Sequence, residues 1–476
     1  MDKKYYITTT LPYVNAEPHI GFALEIIQAD VVARFHKEIL KEEVVFNFGT
    51  DEHGQKIYQK ALEEGKDPQK YCDEYAAKFD ALKKALNLSY TNFIRTTDPD
   101  HEKAAQEFWT LCLKNGDIYK KLYKTKYCVG CELEKTDSEL IDGFCEFHPG
   151  ISLEIREEEN YFFKFSKYQR PLLDFYDKNP DFVIPEGKFN EIKSFVEGGL
   201  QDFSVSRLKS KMPWGIPVPG DPEQVIYVWF DALVNYISTL GWPKDVKNFK
   251  DFWPGVQVAG KDNLRQQTAI WQAMLLSAGL PTSKQVFIHG FLTLNGQKIS
   301  KSAGNTINPI EFAEKYGTDA LRYYLLAKVN SYEDSDFSTE KFEETFNGEL
   351  ANGLGNLTSR IAKLCENSGF EFQYYDSNHG TVDKEVLVQI EKYRFDDALK
   401  TIFEKYISSL DQEINKAEPW KLTGAELKAF LEKAVGTIRT LAFNLFPFLP
   451  ETAKKIEEQF KGPKIKSGSP LFPRLS

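Results

Sequence analysis

The sequence predicts an α/β protein in which a parallel sheet is split by an insertion and followed by an α-helical bundle. Three observations carry this expectation. Up to about residue 115, runs rich in β-branched and aromatic residues alternate with longer amphipathic stretches, the rhythm of βαβ units. From about 116 to 225 that rhythm gives way to short strands, a cysteine and histidine cluster and proline- and glycine-rich turns, after which it resumes. Beyond about Ser338 nearly every segment reads as helix.

Taken in order, Tyr5 to Thr9 reads as the first strand and Gly21 to Leu40 as a long amphipathic helix with Pro18 at its mouth. Val44 to Gly49 supplies a second strand, and Asp73 to Leu86 and Glu102 to Asn115 supply further helices. Such alternation predicts a Rossmann-like parallel sheet whose ligands gather at the C-terminal ends of its strands. The insertion carries an acidic run, Glu157 to Glu159, and ends near the turn-rich Trp214 to Gly220. Gln224 to Trp229 then reads as a strand leading into a helix through Leu240. Val256 to Ala259 is another strand, followed by a helix from about Asn263 to Ala278. Val286 to Leu294 is the last strand before a lysine-bearing loop. In the helical part, Glu418-Pro419 and Pro447 to Pro450 mark breaks.

At 476 residues, the prior is roughly three domains of about 150 residues. A hydrophobic share of 42% with 14% aromatics suits buried cores and excludes a disordered chain. Net charge is −10, so a nucleic-acid partner would have to meet local basic patches against a repulsive overall field. That counts against general DNA binding and leaves room for an RNA docked at defined sites. The first residues lack a signal-peptide apolar stretch, and no run approaches about 18 apolar residues, so a cytoplasmic protein without a membrane span is expected. Cys72, Cys112 and Cys365 are scattered, whereas Cys128, Cys131, Cys145 and His148 cluster; this reads as one metal site and no disulfide framework.

Two short signatures stand far apart. Pro18-His19-Ile20-Gly21-Phe22 sits between the first strand and the long helix, where a glycine lets a nucleotide approach and free N–H groups face phosphate. His19 can donate to a phosphate there, although the same residues also suit an ordinary helix start with a solvated histidine. Lys298-Ile299-Ser300-Lys301-Ser302 follows a strand and Asn295-Gly296, and its lysines can neutralise a triphosphate; alone, it also reads as an exposed charged loop. A sheet split by an insertion lets both face one pocket.

Cys128-Val129-Gly130-Cys131 and Cys145-Glu146-Phe147-His148 each offer two ligands from a tight turn, the arrangement of a closed, structural zinc site. A redox CxxC is the alternative. Asp51 ends a strand on the ligand face, where its carboxylate can hold an ammonium group or cap the next helix. Trp229, Leu233 and Tyr236 fall near one face of a strand-to-helix junction and can form a polarisable box for a thioether, or ordinary core.

Together these motifs resemble the methionyl-tRNA synthetase family, class I aminoacyl-tRNA synthetases whose signatures are HIGH and KMSKS, in its single-zinc bacterial form. The resemblance runs from Thr9 to Pro470-Leu471-Phe472-Pro473-Arg474. It implies ATP-dependent attachment of L-methionine to methionine tRNA through a methionyl adenylate, with Mg2+ accompanying ATP and structural Zn2+ on the cluster. By position, Leu11, Tyr13, Asp51, Trp229, Leu233 and Tyr236 would line the methionine site. Glu25, Gly260 and Asp262 would lie near the adenylate, with His289 and Leu292 on the strand toward the lysine loop. His19, Gly21, Lys298 and Lys301 would meet ATP, and His19, Lys298 and Lys301 would stabilise the transition state. Asn356 and Arg360 match the anticodon-reading helix and Trp420 its stacking aromatic, although on the residues alone Trp420 reads as a buried bundle residue.

The chain departs from the family in three places. Phe22 replaces a second signature histidine, Asn263 replaces an isoleucine, and Gln267 stands where a histidine is usual. Gln267 keeps a hydrogen-bonding group, whereas Asn263 makes the pocket more polar. The resemblance divides the chain into a first catalytic half (1–115), an inserted connective domain with the zinc knuckle (116–225), a second catalytic half (226–297), the lysine loop with a stem-contact region (298–345) and an anticodon-binding bundle (346–476). The insertion leaves no room for a hydrolytic editing domain, which fits methionine, a side chain separable in one step. The absence of an appended dimerisation domain predicts a monomer. The rival readings are a class I synthetase for another amino acid and a synthetase-like tRNA-binding protein without catalysis.

Overall fold

The structure, a computed structural model, describes residues 3–131, 133–135, 140–299, 306–376 and 380–475. Its centre is a six-stranded parallel sheet in the order Asn92–Arg95, Glu43–Thr50, Lys4–Thr9, Val256–Gly260, Gln285–His289, Val183–Ile184. The central strands are apolar on both faces, as parallel strands covered by helices must be. Ile7 lies between Phe46 and Val256 in register, and all three are buried. The helix Ile20–Arg34 is buried along nearly its whole length because it is sandwiched between this sheet and later helices.

The parallel α/β core and the helical C-terminal region follow the sequence expectation, and several details differ. The edge strand Asn92–Arg95 was not foreseen; it is short, half-buried and weakly patterned. The segment read as a strand from Gln224 to Trp229 is instead a strand Asp221–Ile226 in a separate three-stranded antiparallel sheet, followed by a helix from Val228. The long strand expected from Val286 to Leu294 is two strands in two sheets. Gln285–His289 closes the parallel sheet, and Leu292–Leu294 pairs in parallel with Ser335–Phe337 and antiparallel with Gln297–Lys298. The ladder breaks where Asp334 Oδ1 accepts the Phe291 N–H at 2.8 Å, taking that donor from the sheet.

Within 116–225, Ile118–Cys128 and Glu154–Phe163 form a long antiparallel ladder with the cysteine cluster at its far end. Two helices, Gln169–Lys178 and Glu186–Glu197, had no counterpart in the sequence reading. Val183–Ile184 lies between them and pairs with Val286 and Phe287, so this stretch supplies the outermost strand of the parallel sheet.

The C-terminal helices, among them Asn356–Ser368, Gly424–Leu445 and Pro450–Phe460, share one hydrophobic core with the first half of the sheet domain. A buried ion pair pins the two together. The Arg322 guanidinium lies 2.8 Å from Asp30 Oδ2 and donates to the carbonyls of Phe448 (2.7 Å) and Leu86 (3.2 Å). Asp30 also accepts from Ser89 N and Oγ, both at 2.6 Å, and from Arg34 at 2.7 Å. Its carboxyl is held below the usual range: burial opposes this, and the two guanidiniums with the serine outweigh it. Among the described residues no helix is long and apolar enough to cross a membrane.

Candidate active site

The C-terminal ends of the parallel strands converge on Glu25, in the second turn of the Ile20–Arg34 helix. Its Oε1 accepts from Thr10 N at 2.8 Å and Thr10 Oγ1 at 2.5 Å, just past the first strand. Its Oε2 accepts from Gly260 N at 3.0 Å and meets His289 Nε2 at 3.1 Å. One carboxylate thus ties three strand ends to the helix. His289 Nδ1 lies 2.8 Å from the Gly290 carbonyl, so that nitrogen carries a proton. Burial disfavours the imidazolium, yet the Glu25 carboxylate and the Gly290 carbonyl outweigh it, and the pKa of His289 is raised. Asp262 follows as an exposed residue, with Asn263 Nδ2 3.2 Å from its Oδ1.

His19 caps the same helix. Its Nδ1 accepts the Gly21 N–H at 3.1 Å, which assigns its own proton to Nε2. A Cβ on residue 21 would sit 2.9 Å from His19 Cε1, so glycine is what lets the imidazole fold back over the helix start. Phe22, in place of the expected histidine, packs against the His19 ring at 4.4 Å between centroids, tilted by 37°, and edge-on at 5.7 Å against Phe79. It acts as an apolar platform that holds His19 in place.

The chain just past the lysine signature meets this mouth. Lys298 pairs across the hairpin with Thr293, and Ile307, after the signature, accepts the Ile20 N–H at 3.0 Å. Lys301 lies outside the described residues.

Beside the mouth, Leu11 to Val14 is zipped to Asp51. Asp51 N donates to Pro12 O at 3.0 Å, Val14 N donates to Asp51 O at 3.2 Å, and Tyr13 and Asp51 bridge in parallel. The adjoining loop is held by buried Glu52, which takes Arg95 in two bonds of 2.7 and 2.8 Å. Trp214 Nε1 donates to the Glu52 carbonyl at 2.6 Å, and His53 Nδ1 lies 3.3 Å from Asp231 Oδ2. Asp231 starts the link to the other wall, where Trp229 is half-exposed and Leu233 and Tyr236 are buried on consecutive helical turns. Tyr6 Oη donates to the Tyr236 carbonyl at 2.8 Å, anchoring that wall to the first strand. Gln267, in a widened π-type turn, donates from Nε2 to Tyr236 Oη at 2.6 Å. Its Oε1 accepts from Gln257 Nε2 at 2.8 Å.

The structure therefore gathers His19, Gly21, Glu25, Gly260, Asp262 and His289 at one strand edge, with Leu292 opening the next sheet. Leu11, Tyr13, Asp51, Trp229, Leu233, Tyr236, Asn263 and Gln267 flank it. Thr10, Gln257 and the Glu52–Arg95 pair were missed from sequence. Only their polarity in or beside apolar strands could have drawn attention to them.

Two other groups lie apart from this cleft. Cys128, Cys131, Cys145 and His148 present ligand atoms all within 4.8 Å of one another. His148 Nδ1 stands 3.1, 3.8 and 4.0 Å from the sulfurs of Cys131, Cys128 and Cys145. A Cβ on Gly130 would fall 2.4 Å from His148 Cδ2, so the knuckle closes only over glycine. Three thiols and one imidazole in this arrangement can hold a metal such as zinc, with every tetrahedral position filled by protein. In the bundle, Asn356 is exposed, Arg360 is half-exposed and donates to Asp411 at 2.6 Å, and Trp420 is 57% exposed. That exposure removes the buried-core reading of Trp420.

Comparison with known proteins agrees with this geometry. The family described as tRNA synthetases class I (M) matches residues 5–148 and 131–362. The methionine–tRNA ligase of Thermotoga maritima is 42% identical over 481 residues, covering 95% of this chain and 74% of its own length. That of Nostoc is 40% identical over 480 residues, covering 96% and 90%. The structure of Mycobacterium tuberculosis methionyl-tRNA synthetase in complex with methionyl-adenylate superposes with a TM-score of 0.89 at 34% identity, covering 99% of this chain and 100% of that one. Sequence and fold agree, and the chain belongs to the methionine–tRNA ligase family of class I tRNA synthetases.

Proposed function

We propose that the chain activates L-methionine with ATP and transfers the methionyl group from methionyl adenylate to the terminal ribose of methionine tRNA. The observation that supports this reading is the hydrogen bond from Ile20 N–H to the Ile307 carbonyl, which sets a residue just past the lysine signature beside the mouth capped by His19. ATP would lie along that mouth, with its triphosphate between His19 Nε2–H and the amines of Lys298 and Lys301. These groups meet charge that develops on phosphorus as the methionine carboxylate attacks in line. Magnesium bound with ATP supplies further charge neutralisation on the phosphate oxygens. Asp51 is suited to the substrate ammonium, and Trp229, Leu233, Tyr236 and Gln267 to the thioether side chain. Glu25, braced by His289, holds Gly260 and Thr10 where the adenylate would pass. No protein nucleophile is required, since positioning and charge stabilisation carry the reaction.

In the same reading, Zn2+ fills the Cys128, Cys131, Cys145 and His148 site and orders the knuckle of an inserted domain spanning 116–225. The bundle from 346 reads the anticodon with Asn356 and Arg360 and stacks a base on Trp420. Methionine-dependent ATP–pyrophosphate exchange, followed by charging of methionine tRNA, tests the proposal. Strongest exchange with another amino acid would reassign the substrate. Tight tRNA binding with no exchange for any amino acid would leave a binding protein.

A further inference from the structure

Behind Gln267 lies a closed ring of buried amides, and two backbone groups dictate the direction of every hydrogen bond in it. The Ser283 N–H can only donate, and it does so at 2.9 Å to Gln272 Oε1. Gln272 therefore turns Nε2 toward the Gln267 carbonyl (2.7 Å), which can only accept, and toward Ser283 Oγ (3.0 Å). With Ser283 Oγ accepting there, its hydrogen goes to Gln257 Oε1 at 2.6 Å. Gln257 then faces Gln267 with its Nε2, donating to Oε1 at 2.8 Å, and Gln267 must present its own Nε2 to Tyr236 Oη at 2.6 Å. All five residues are buried, so water does not scramble this order.

We infer that Ser283, Gln272 and Gln257 are positioning residues that lock Gln267 as a donor to Tyr236, so that the tyrosine keeps its own O–H for an acceptor in the substrate. Rotating the Gln267 amide by half a turn would put Oε1 against Tyr236 and consume that hydrogen internally. The Tyr236 hydroxyl is buried in the wall near Glu25 and Asp51: its pKa is raised, first by burial, and those two carboxylates add to the rise. The acceptor it serves is the thioether sulfur of methionine, the one polar feature of that side chain. This inference rests on the methionine reading given above.

The test compares kcat/KM for methionine and for norleucine, in which a methylene replaces the sulfur, using ATP–pyrophosphate exchange on the full chain. Wild type should favour methionine. Gln267→Glu, which cannot donate to Tyr236, should cut the methionine-to-norleucine ratio about 2- to 10-fold, the worth of one neutral hydrogen bond. Ser283→Ala frees Gln257 and, through it, Gln267, so it should move the ratio in the same direction from a site outside the pocket. Ser283→Thr keeps the hydroxyl and should restore the ratio. If Ser283→Ala does not fold, Gln257→Met breaks the next link. An unchanged ratio in Ser283→Ala or Gln257→Met, with Gln267→Glu altered, would overturn the relay. A wild type that exchanges with some other amino acid would instead overturn the substrate reading beneath it.

Discussion

Replacing Glu25 with glutamine tests whether one carboxylate holds the strand ends together. The change is isosteric, yet it turns one acceptor oxygen into an NH2 group. Oε1 serves two donors of Thr10, so the smaller loss places the new NH2 at the position of Oε2, facing Gly260 N and His289 Nε2. The Gly260 N–H is then unsatisfied inside the protein, at about 1–3 kcal/mol, and a charge-assisted bond to His289 of about 1.5–3 kcal/mol is lost. His289 can shed its proton and accept from the new NH2, which recovers part of this. The side chains are 11% and 7% exposed, so solvent screening removes little. A net loss of about 2–4 kcal/mol is expected.

The pH dependence has a definite sign. The folded-state pKa of His289 is raised, so its stabilising contribution is complete below the unfolded value of about 6.5 and fades as pH rises through the folded value. Comparing pH 6 with a pH above the folded value, Glu25→Gln should be most destabilising at the first and keep only the roughly 1–3 kcal/mol of the unsatisfied Gly260 N–H at the second. Urea titration followed by tryptophan fluorescence at both pH values, with the His289 ring titrated by NMR, reads this directly. A variant as stable as wild type at pH 6, or a penalty that grows with pH, would refute the clamp.

Other perturbations address the remaining parts. Gly130→Ala forces a methyl to within 2.4 Å of the His148 ring and should lower zinc content, measured by mass spectrometry of the metal, while far-UV circular dichroism of the whole chain changes little. Arg322→Met leaves Asp30 with Arg34 as its one guanidinium partner and the carbonyls of Phe448 and Leu86 without their donor; a loss of about 3–5 kcal/mol is expected in thermal unfolding, partly recovered when Asp30→Asn is added. Trp420→Ala removes an exposed indole and should raise KM for tRNA about 5- to 100-fold, the worth of roughly 1–3 kcal/mol of base stacking.

Much of the fold was legible because the central strands are apolar on both faces and separated by helices long enough to cross back. Tyr5 to Thr9 and Val256 to Ala259 needed no tertiary context. The misplaced elements are those whose partners are remote. Nothing in the sequence around Val183–Ile184 distinguishes two residues that close a parallel sheet from two that pass through a loop; their pairing depends on Val286 and Phe287. The break after His289 depends on Asp334, 43 residues after Phe291, capturing one N–H.

The site divides along the same line. Ligand clusters with local spacing, such as the four metal donors, could be read from the sequence alone, whereas of the residues matched by resemblance six share one strand edge and those of the bundle lie apart from it. What each departure means could be judged only from its neighbours. Phe22 looked like a lost phosphate donor, but its ring lies between His19 and Phe79, so the missing histidine is replaced by packing that steadies the remaining one. Gln267 looked like a weaker histidine. Inside a ring of amides it has an advantage of its own. An imidazole with a pKa near 6.5 changes from one donor to two within the physiological range, whereas a glutamine does not titrate. A hydrogen-bond direction fixed by the backbone of Ser283 and Gln267 then holds at every working pH. Polar residues at 257, 267, 272 and 283 would be costly in such a core if any one were left unsatisfied; as a closed ring, each gives the next its orientation.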